Sequence, residues 1–175
     1  MVGCAAHARR KFDEALTALP KEQQQTSKAA EALCYFAKLF QLEQSFAELK
    51  PEERYTKRLE QAKPVLDALL AWANDLIPRT APKSALGKAL HYLKEQWPYL
   101  VRYLEDGRLE LSNNRAERSI KPFVMGRKGW LFSNTPVSAV IYSLIETAKE
   151  NAPDPYRYLL WVLESAPAMA LEGDA

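Results

Sequence analysis

The sequence predicts a mainly α-helical chain, and three observations carry that expectation. Apolar residues recur at three- and four-residue spacing, and no alternating strand pattern appears in the first hundred residues. Glycine is scarce, with 6 in 175 residues, so few positions are free to break a helix. The 11 prolines fall mostly where helices should begin or end. At this length the chain can bury one real core, or form a compact domain with an attached arm. It carries no internal repeat and no low-complexity segment.

The elements follow in order. Residues 5 to 18 place Ala8, Phe12, Ala15, Leu16 and Leu19 along one side of a helix that Pro20 ends. From Ser27 to Leu49, Ala30, Leu33, Cys34, Ala37, Phe40 and Leu42 recur at helical spacing. A long helix follows from Glu52 to Ile77, with Leu59, Ala62, Leu66, Leu69, Leu70 and Ala73 as its buried stripe; Pro64 should kink or divide it. Residues 84 to 104 predict a further helix, strained near Pro98.

"EDGRLELSNN" then reads as a turn, a brief alternating stretch and a capping region, in which Asn113 or Asn114 can accept a free backbone N–H of the next helix. That helix is expected from about Arg115 to Pro122 or shortly after. "MGRKGWLFSNTP", with two glycines and an apolar triplet, predicts a tight loop and a short extended segment. Val137 to Asn151 places Val140, Ile141, Leu144, Ile145 and Ala148 on one helical face. The last helix begins with Asp154 as N-cap and Pro155 in its first position. None of these helices would be stable alone, so their apolar stripes must pack together.

The bulk charge excludes little, since a net +2 does not by itself argue for nucleic acid. Its distribution says more. Between Arg108 and Lys128 stand Arg108, Arg115, Arg118, Lys121, Arg127 and Lys128, against only Glu110 and Glu117. A basic block within a near-neutral protein is a candidate polyanion footprint. Cys4 and Cys34 are far apart and make no disulfide framework, as in a reducing cytosol. No apolar run approaches a membrane span and no signal peptide is evident, so the sequence predicts a soluble, cytoplasmic protein.

The most informative stretch is "NNRAERSIKP", residues 113 to 122. Glu117 sits near a helix start, where the macrodipole favours a carboxylate, with Lys121 one turn on. Two readings stay open on spacing alone. One is a capped helix start with a solvated ion pair; the other is a carboxylate that holds a metal ion while the cations hold a polyanion. Asn113, Asn114, Arg115, Arg118 and Lys121 crowd that helix start, and such groups commonly grip phosphate oxygens. "GRKGW" adds Arg127 and Lys128 between glycines, ahead of Trp130, a residue that either anchors the loop with Phe132 or stacks on a base. "CAAH" places Cys4 and His7 one turn apart, too few for a structural zinc site, and "HARRK" adds Arg9 and Arg10 on what reads as a solvated face. No nucleotide-binding, hydrolase or zinc-protease motif is present.

Three stretches together are familiar: "GCAAHARRKFDEAL", the run from "PKSALGKALHYL" through "SNNRAERSIKPFVMGRKGWLFSNTP", and "YSLIETAKENAPDPYRYLL". They strongly resemble the transposases of the insertion-sequence-66 family across nearly the whole chain, most specifically from Gly107 to Phe132. The resemblance implies an RNase-H-like catalytic domain with an Asp-Asp-Glu triad that binds two divalent metals, Mg2+ or Mn2+. It assigns the third carboxylate to Glu117 and matches Cys4 and His7 to an auxiliary Cys-x-x-His element that follows the second aspartate. Two metals roughly 4 Å apart suit in-line phosphoryl transfer, and nearby cations hold DNA without competing for the ions.

The family's two aspartates precede the Cys-x-x-His element, which here begins three residues after Met1. The expectation is therefore a C-terminal portion: a helical insertion plus the C-terminal helices of an RNase-H-like domain, with at most one or two short extended segments. Its parts are residues 1–19 as the end of a core segment, 20–106 as the helical insertion, 107–165 as the glutamate helix, basic loop and C-terminal helices, and 166–175 as a tail. The chain departs from the family after "SNTP", where "VSAVIYSL" follows a shortened loop, and in "NAPDPY", which replaces a glycine-containing turn. The implied partners are DNA at transposon ends, and the missing N-terminal half or accessory proteins, with no membrane. Catalysis by this chain alone is not expected, nor is tight metal binding. The alternatives are a helical DNA-binding module without chemistry, or a remnant that folds poorly.

Overall fold

A computed structural model describes residues 3–129, 135–151 and 153–172, giving the backbone alone at Phe123, residues 126–129 and residues 166–172. The chain divides into two compact units, Met1–Asn114 and Arg115–Ala175. Among the described residues all regular structure is helical and no strand occurs.

The first unit contains α1 (Ala5–Thr17), α2 (Lys21–Gln24), α3 (Lys28–Ser45), α4 (Pro51–Lys57), α5 (Lys63–Leu76) and α6 (Ala85–Leu100). Their starts have local causes. The hydroxyls of Ser27 and Ser84 accept the N–H groups of Ala30 and Gly87, two donors that the first turns of α3 and α6 would otherwise leave orphaned. Pro51 opens α4 with its φ already set, and Glu53 reaches back to accept the Lys50 N–H. Pro64 stands in the first turn of α5, and the helical path expected from Glu52 to Ile77 is divided just before it. The chain widens into a π-helical turn over Arg58–Ala62, where the Lys63 N–H donates to the carbonyl of Arg58, five residues back. That widening accommodates a proline that has no N–H to give and whose ring crowds the preceding turn. Pro98 is likewise held inside α6, which tightens into a 3₁₀ turn at Val101–Leu104.

The core of this unit forms where α1 packs against both α3 and α6. Phe12, Phe36, Leu39, Leu69, Leu90 and Leu93 are fully buried. The Phe12 ring lies 5.9 Å from Phe36 and 6.1 Å from Trp72, both tilted, within the range where aromatic pairs add to simple burial. The N-terminal segment is tied to the same core: Gly3 N–H donates to Tyr99 O at 2.8 Å, and Ala5 N–H donates to Leu111 O at 3.0 Å. A Cβ on Gly3 would come within 2.8 Å of the Leu100 nitrogen, so glycine permits this approach.

Two arginines one helical turn apart fasten the other end of the unit. Arg58, only 1% exposed, donates from Nε and Nη2 to the two oxygens of Glu43 at 2.9 and 2.6 Å. Its Nη1 donates to the carbonyls of Tyr103 and Asp106 at 2.9 and 3.0 Å, and its guanidinium lies 4.9 Å from the Tyr103 ring centroid. Arg54 donates to the carbonyls of Phe46, Ala47, Leu49 and Gly107, closing the end of α3 onto the 105–109 turn. Gly107 packs so tightly that a Cβ would overlap the Pro51 carbonyl. The Tyr103 hydroxyl is buried without a hydrogen-bond partner among the described residues, and burial, with Glu43 nearby, holds it well above the usual tyrosine range.

The second unit holds α7 (Asn114–Gly129), α8 (Pro136–Glu150) and α9 (Pro155–Glu172), with α8 packed on α9. Thr135 caps α8 by accepting the Ser138 N–H, and Asp154 caps α9 by accepting the Arg157 N–H, as its sequence predicts. No helix among the described residues is long and apolar enough to cross a membrane.

Two local expectations are corrected. The alternating stretch before Asn113 forms no strand; Leu109 N–H closes a turn on Asp106 O instead. The tight loop expected from Met125 is helix as far as Gly129, because α7 runs through both Pro122 and Gly126. Each of those residues weakens a helix without obliging it to stop. The rest of the expected loop and extended segment, 130–134, lies outside the described residues.

Arg58→Ala leaves Glu43 and two carbonyls without their donor, and it should destabilise the first unit by about 3–5 kcal/mol in urea unfolding. Tyr103→Phe, which keeps the ring under Arg58 and removes only an unpartnered hydroxyl, should stay within about 1 kcal/mol of wild type. A cost for Tyr103→Phe equal to that of Arg58→Ala would show that the hydroxyl, not the ring, carries the contact.

Candidate nucleic-acid interface

Glu117 lies in the first turn of α7 and is exposed. Asn113 immediately precedes the helix and Asn114 opens it, both exposed, and Arg115, Arg118 and Lys121 are exposed along its first two turns. The helix start therefore presents one carboxylate among cations and amides to solvent, where neither charge sign is penalised by burial.

What orients α7 within its unit is a residue that the sequence reading did not single out. Glu150, at the end of α8, accepts Arg115 Nε at 2.6 Å with one carboxylate oxygen and the Ser119 hydroxyl at 3.2 Å with the other. The bond from Arg115, followed by that from Ser119, holds the Glu150 carboxyl below its ordinary value. Arg115 is thus committed to Glu150 and contributes to positioning as well as to local charge. The sequence signal existed only as a glutamate at the end of a helix, which matches a solvated position equally well.

Beyond that clasp, Arg118, Lys121 and Met125 of α7 and Tyr142, Glu146 and Lys149 of α8 line an open depression of about 550 Å3. Lys149 Nζ bonds Glu146 Oε1 at 2.7 Å, so one carboxylate is already answered and the depression keeps a surplus of positive charge. Lys149 and Tyr142 are additions to the residues expected from sequence. Arg127 and Lys128 lie within α7, but their side chains lie outside the described residues, as do Trp130 and Phe132 altogether.

The remaining candidates belong to the first unit. Cys4 is half-buried at the N-cap position of α1, and its carbonyl accepts the N–H groups of His7 and Ala8. His7 is half-buried, and Arg9 and Arg10 are exposed on the next turn. Asp106 is bound by Arg108 through both backbone and guanidinium, which hold its carboxyl at about 2. No group of three or more His, Cys, Asp or Glu that could hold a metal ion occurs among the described residues.

The family model of the Transposase IS66 family matches residues 1–141, and that of the IS66 C-terminal element matches residues 143–172. The chain belongs to the IS66 transposase family. It is 35% identical over 167 residues to the uncharacterized protein y4jD of Sinorhizobium fredii, and 31% identical over 172 residues to y4hP of the same organism. These alignments cover 92% and 91% of this chain but 31% of each relative, so the chain spans about a third of their length. No solved structure matches it.

Membership of this family implies a divalent metal in the intact enzyme. The described carboxylates do not by themselves supply such a site, since Glu146 and Glu150 answer Lys149 and Arg115 and no third ligand gathers around Glu117.

Because the folded state lowers the Glu150 and Asp106 values, both contacts contribute fully above the ordinary carboxylate range and are lost as pH falls through the lowered values. Carboxyl NMR titration should find the Asp106 midpoint near 2. Glu150→Gln should accelerate hydrogen exchange in α7 at neutral pH and leave the amides of α1 unchanged; equal exchange in α7 would contradict the clasp.

Proposed function

We propose that this chain provides the glutamate-bearing, DNA-gripping part of a metal-dependent DNA transposase. The observation that carries the reading is the family match over residues 1–141, which spans a helix carrying a single carboxylate, Glu117, among Asn113, Asn114, Arg115, Arg118 and Lys121. In this reading Glu117 is the third carboxylate of an Asp-Asp-Glu set and a ligand for Mg2+ or Mn2+, and the two aspartates come from outside these residues. The activity of the assembled protein is DNA strand cleavage and strand transfer at transposon ends. The chain by itself is inactive, because one carboxylate cannot hold two divalent ions.

The DNA-facing groups are Asn113, Asn114, Arg115, Arg118, Lys121, Arg127 and Lys128, joined by Lys149 from α8. Residues 1–19 and 107–165 are the parts derived from the catalytic domain, residues 20–106 are an insertion and 166–175 a tail. Cys4, His7, Arg9 and Arg10 are auxiliary. Val137, Tyr156 and Leu163 are 65%, 75% and 71% exposed, and a surface of this kind supports the reading that α8 and α9 work within a longer protein.

Binding to a duplex oligonucleotide, followed by fluorescence anisotropy at two salt concentrations, tests the grip. The Arg118→Glu and Lys121→Glu double variant should bind at least about tenfold more weakly and lower the salt slope by about two. Glu117→Gln should bind as wild type does. Affinity that ignores both salt and the double variant would overturn the assigned surface.

A further inference from the structure

The first unit carries a second cavity, far in sequence from the glutamate helix, that the transposition chemistry does not use. It is a groove of about 550 Å3 between α1, the 77–87 turn and α6, a size typical of sites that take several side chains. Its floor is apolar, formed by the half-buried Ile77 and Tyr92 with the fully buried Leu90 beneath. Its rim is cationic: Lys11 from α1 and Lys88 and Lys94 from α6.

These lysines are lightly committed. Lys11 holds only an exposed pair with Glu14 at 3.0 Å, of the sort that contributes little in water. Lys94 donates to the Asn74 amide oxygen at 3.4 Å, a neutral partner. Lys88 has no ion-pair partner among the described residues. The single carboxylate of the lining, Glu95, faces His91 Nε2 at 3.4 Å. Three ammonium groups therefore surround an apolar floor with one opposing charge among the lining residues.

The groove is also a built feature. The Ser84 hydroxyl caps α6 through Gly87 N–H at 3.0 Å, and the 81–84 turn sits so close to Gly87 that a Cβ there would overlap the Ala81 carbonyl. Both contacts tie the 81–84 turn to the start of α6.

We propose that this groove docks a peptide segment of a partner protein in which apolar side chains are flanked by carboxylates. The apolar side chains enter over Ile77, Leu90 and Tyr92, and the carboxylates meet Lys11, Lys88 and Lys94. A nucleic-acid backbone fits less well, because phosphates offer nothing to an apolar floor and the rim cations stand around that floor instead of along a line. The proposal is independent of any role for Glu117.

The test is fluorescence anisotropy with the full chain and three labelled peptides of about 14 residues, long enough for a few helical turns across such a groove. One carries Leu and Trp on one face and Glu on the other; the second replaces Glu by Lys; the third keeps Glu and replaces Leu and Trp by Ala. The first peptide should bind, and the second and third should bind at least tenfold more weakly. The Lys88→Glu and Lys94→Glu double variant, altered only at exposed positions, should weaken the first peptide by at least tenfold with an unchanged melting temperature. An unlabelled DNA duplex should not displace it. Equal binding of the lysine peptide, equal binding of the alanine peptide, displacement by duplex, or no binding of the first peptide would each overturn the proposal.

Discussion

The burial of one guanidinium governs the first unit. A charge removed from water must be answered by hydrogen bonds or it unfolds its surroundings, and Arg58 is answered from three directions at once. Glu43 brings α3, the carbonyls of Tyr103 and Asp106 bring the segment after α6, and the Tyr103 ring closes the remaining face. Segments far apart in sequence therefore converge on one side chain. The π-helical turn that contains Arg58 belongs to the same solution, since the chain widens there to admit Pro64. Arg54, one turn earlier, repeats the device more gently by gathering the carbonyls of Phe46, Ala47 and Leu49 in the turn that follows α3.

The two units satisfy their surfaces differently. The first closes around aromatic and aliphatic side chains from α1, α3, α5 and α6, leaving mainly charged residues outside. The second has helices whose apolar residues remain largely in solvent: Ile120 and Met125 on α7, Val137 and Val140 on α8, Tyr156 and Trp161 on α9. The chain spans about a third of its relatives' length.

The helical fold was legible because it rests on local rules. Periodicity located α1, α3, α6 and α8, and the Asp154–Pro155 pair marked the start of α9 to the residue. The Arg58 centre was not legible, because a burial decided by Glu43 and by two carbonyls 45 and 48 residues away leaves no trace in spacing. The end of α7 was misjudged for a related reason. Pro122 and Gly126 only tilt a local balance, and their context outweighs them. At the candidate site, family resemblance and the charge pattern identified the cationic helix around Glu117. They could not identify Glu150 or Lys149, whose relevance exists only once α7 and α8 lie side by side.

We propose a division of labour in which Glu117 would contribute one metal ligand, the cations of α7 and α8 the grip on DNA, and other carboxylates the rest of the metal site. The most direct measurement is nicking of supercoiled plasmid by the purified chain in Mg2+ and in Mn2+, alongside Glu117→Gln. The account predicts no nicking above a protein-free control for either protein. Metal-dependent nicking by the wild-type chain that disappears in Glu117→Gln would contradict it, and would mean that these residues complete the catalytic site unaided.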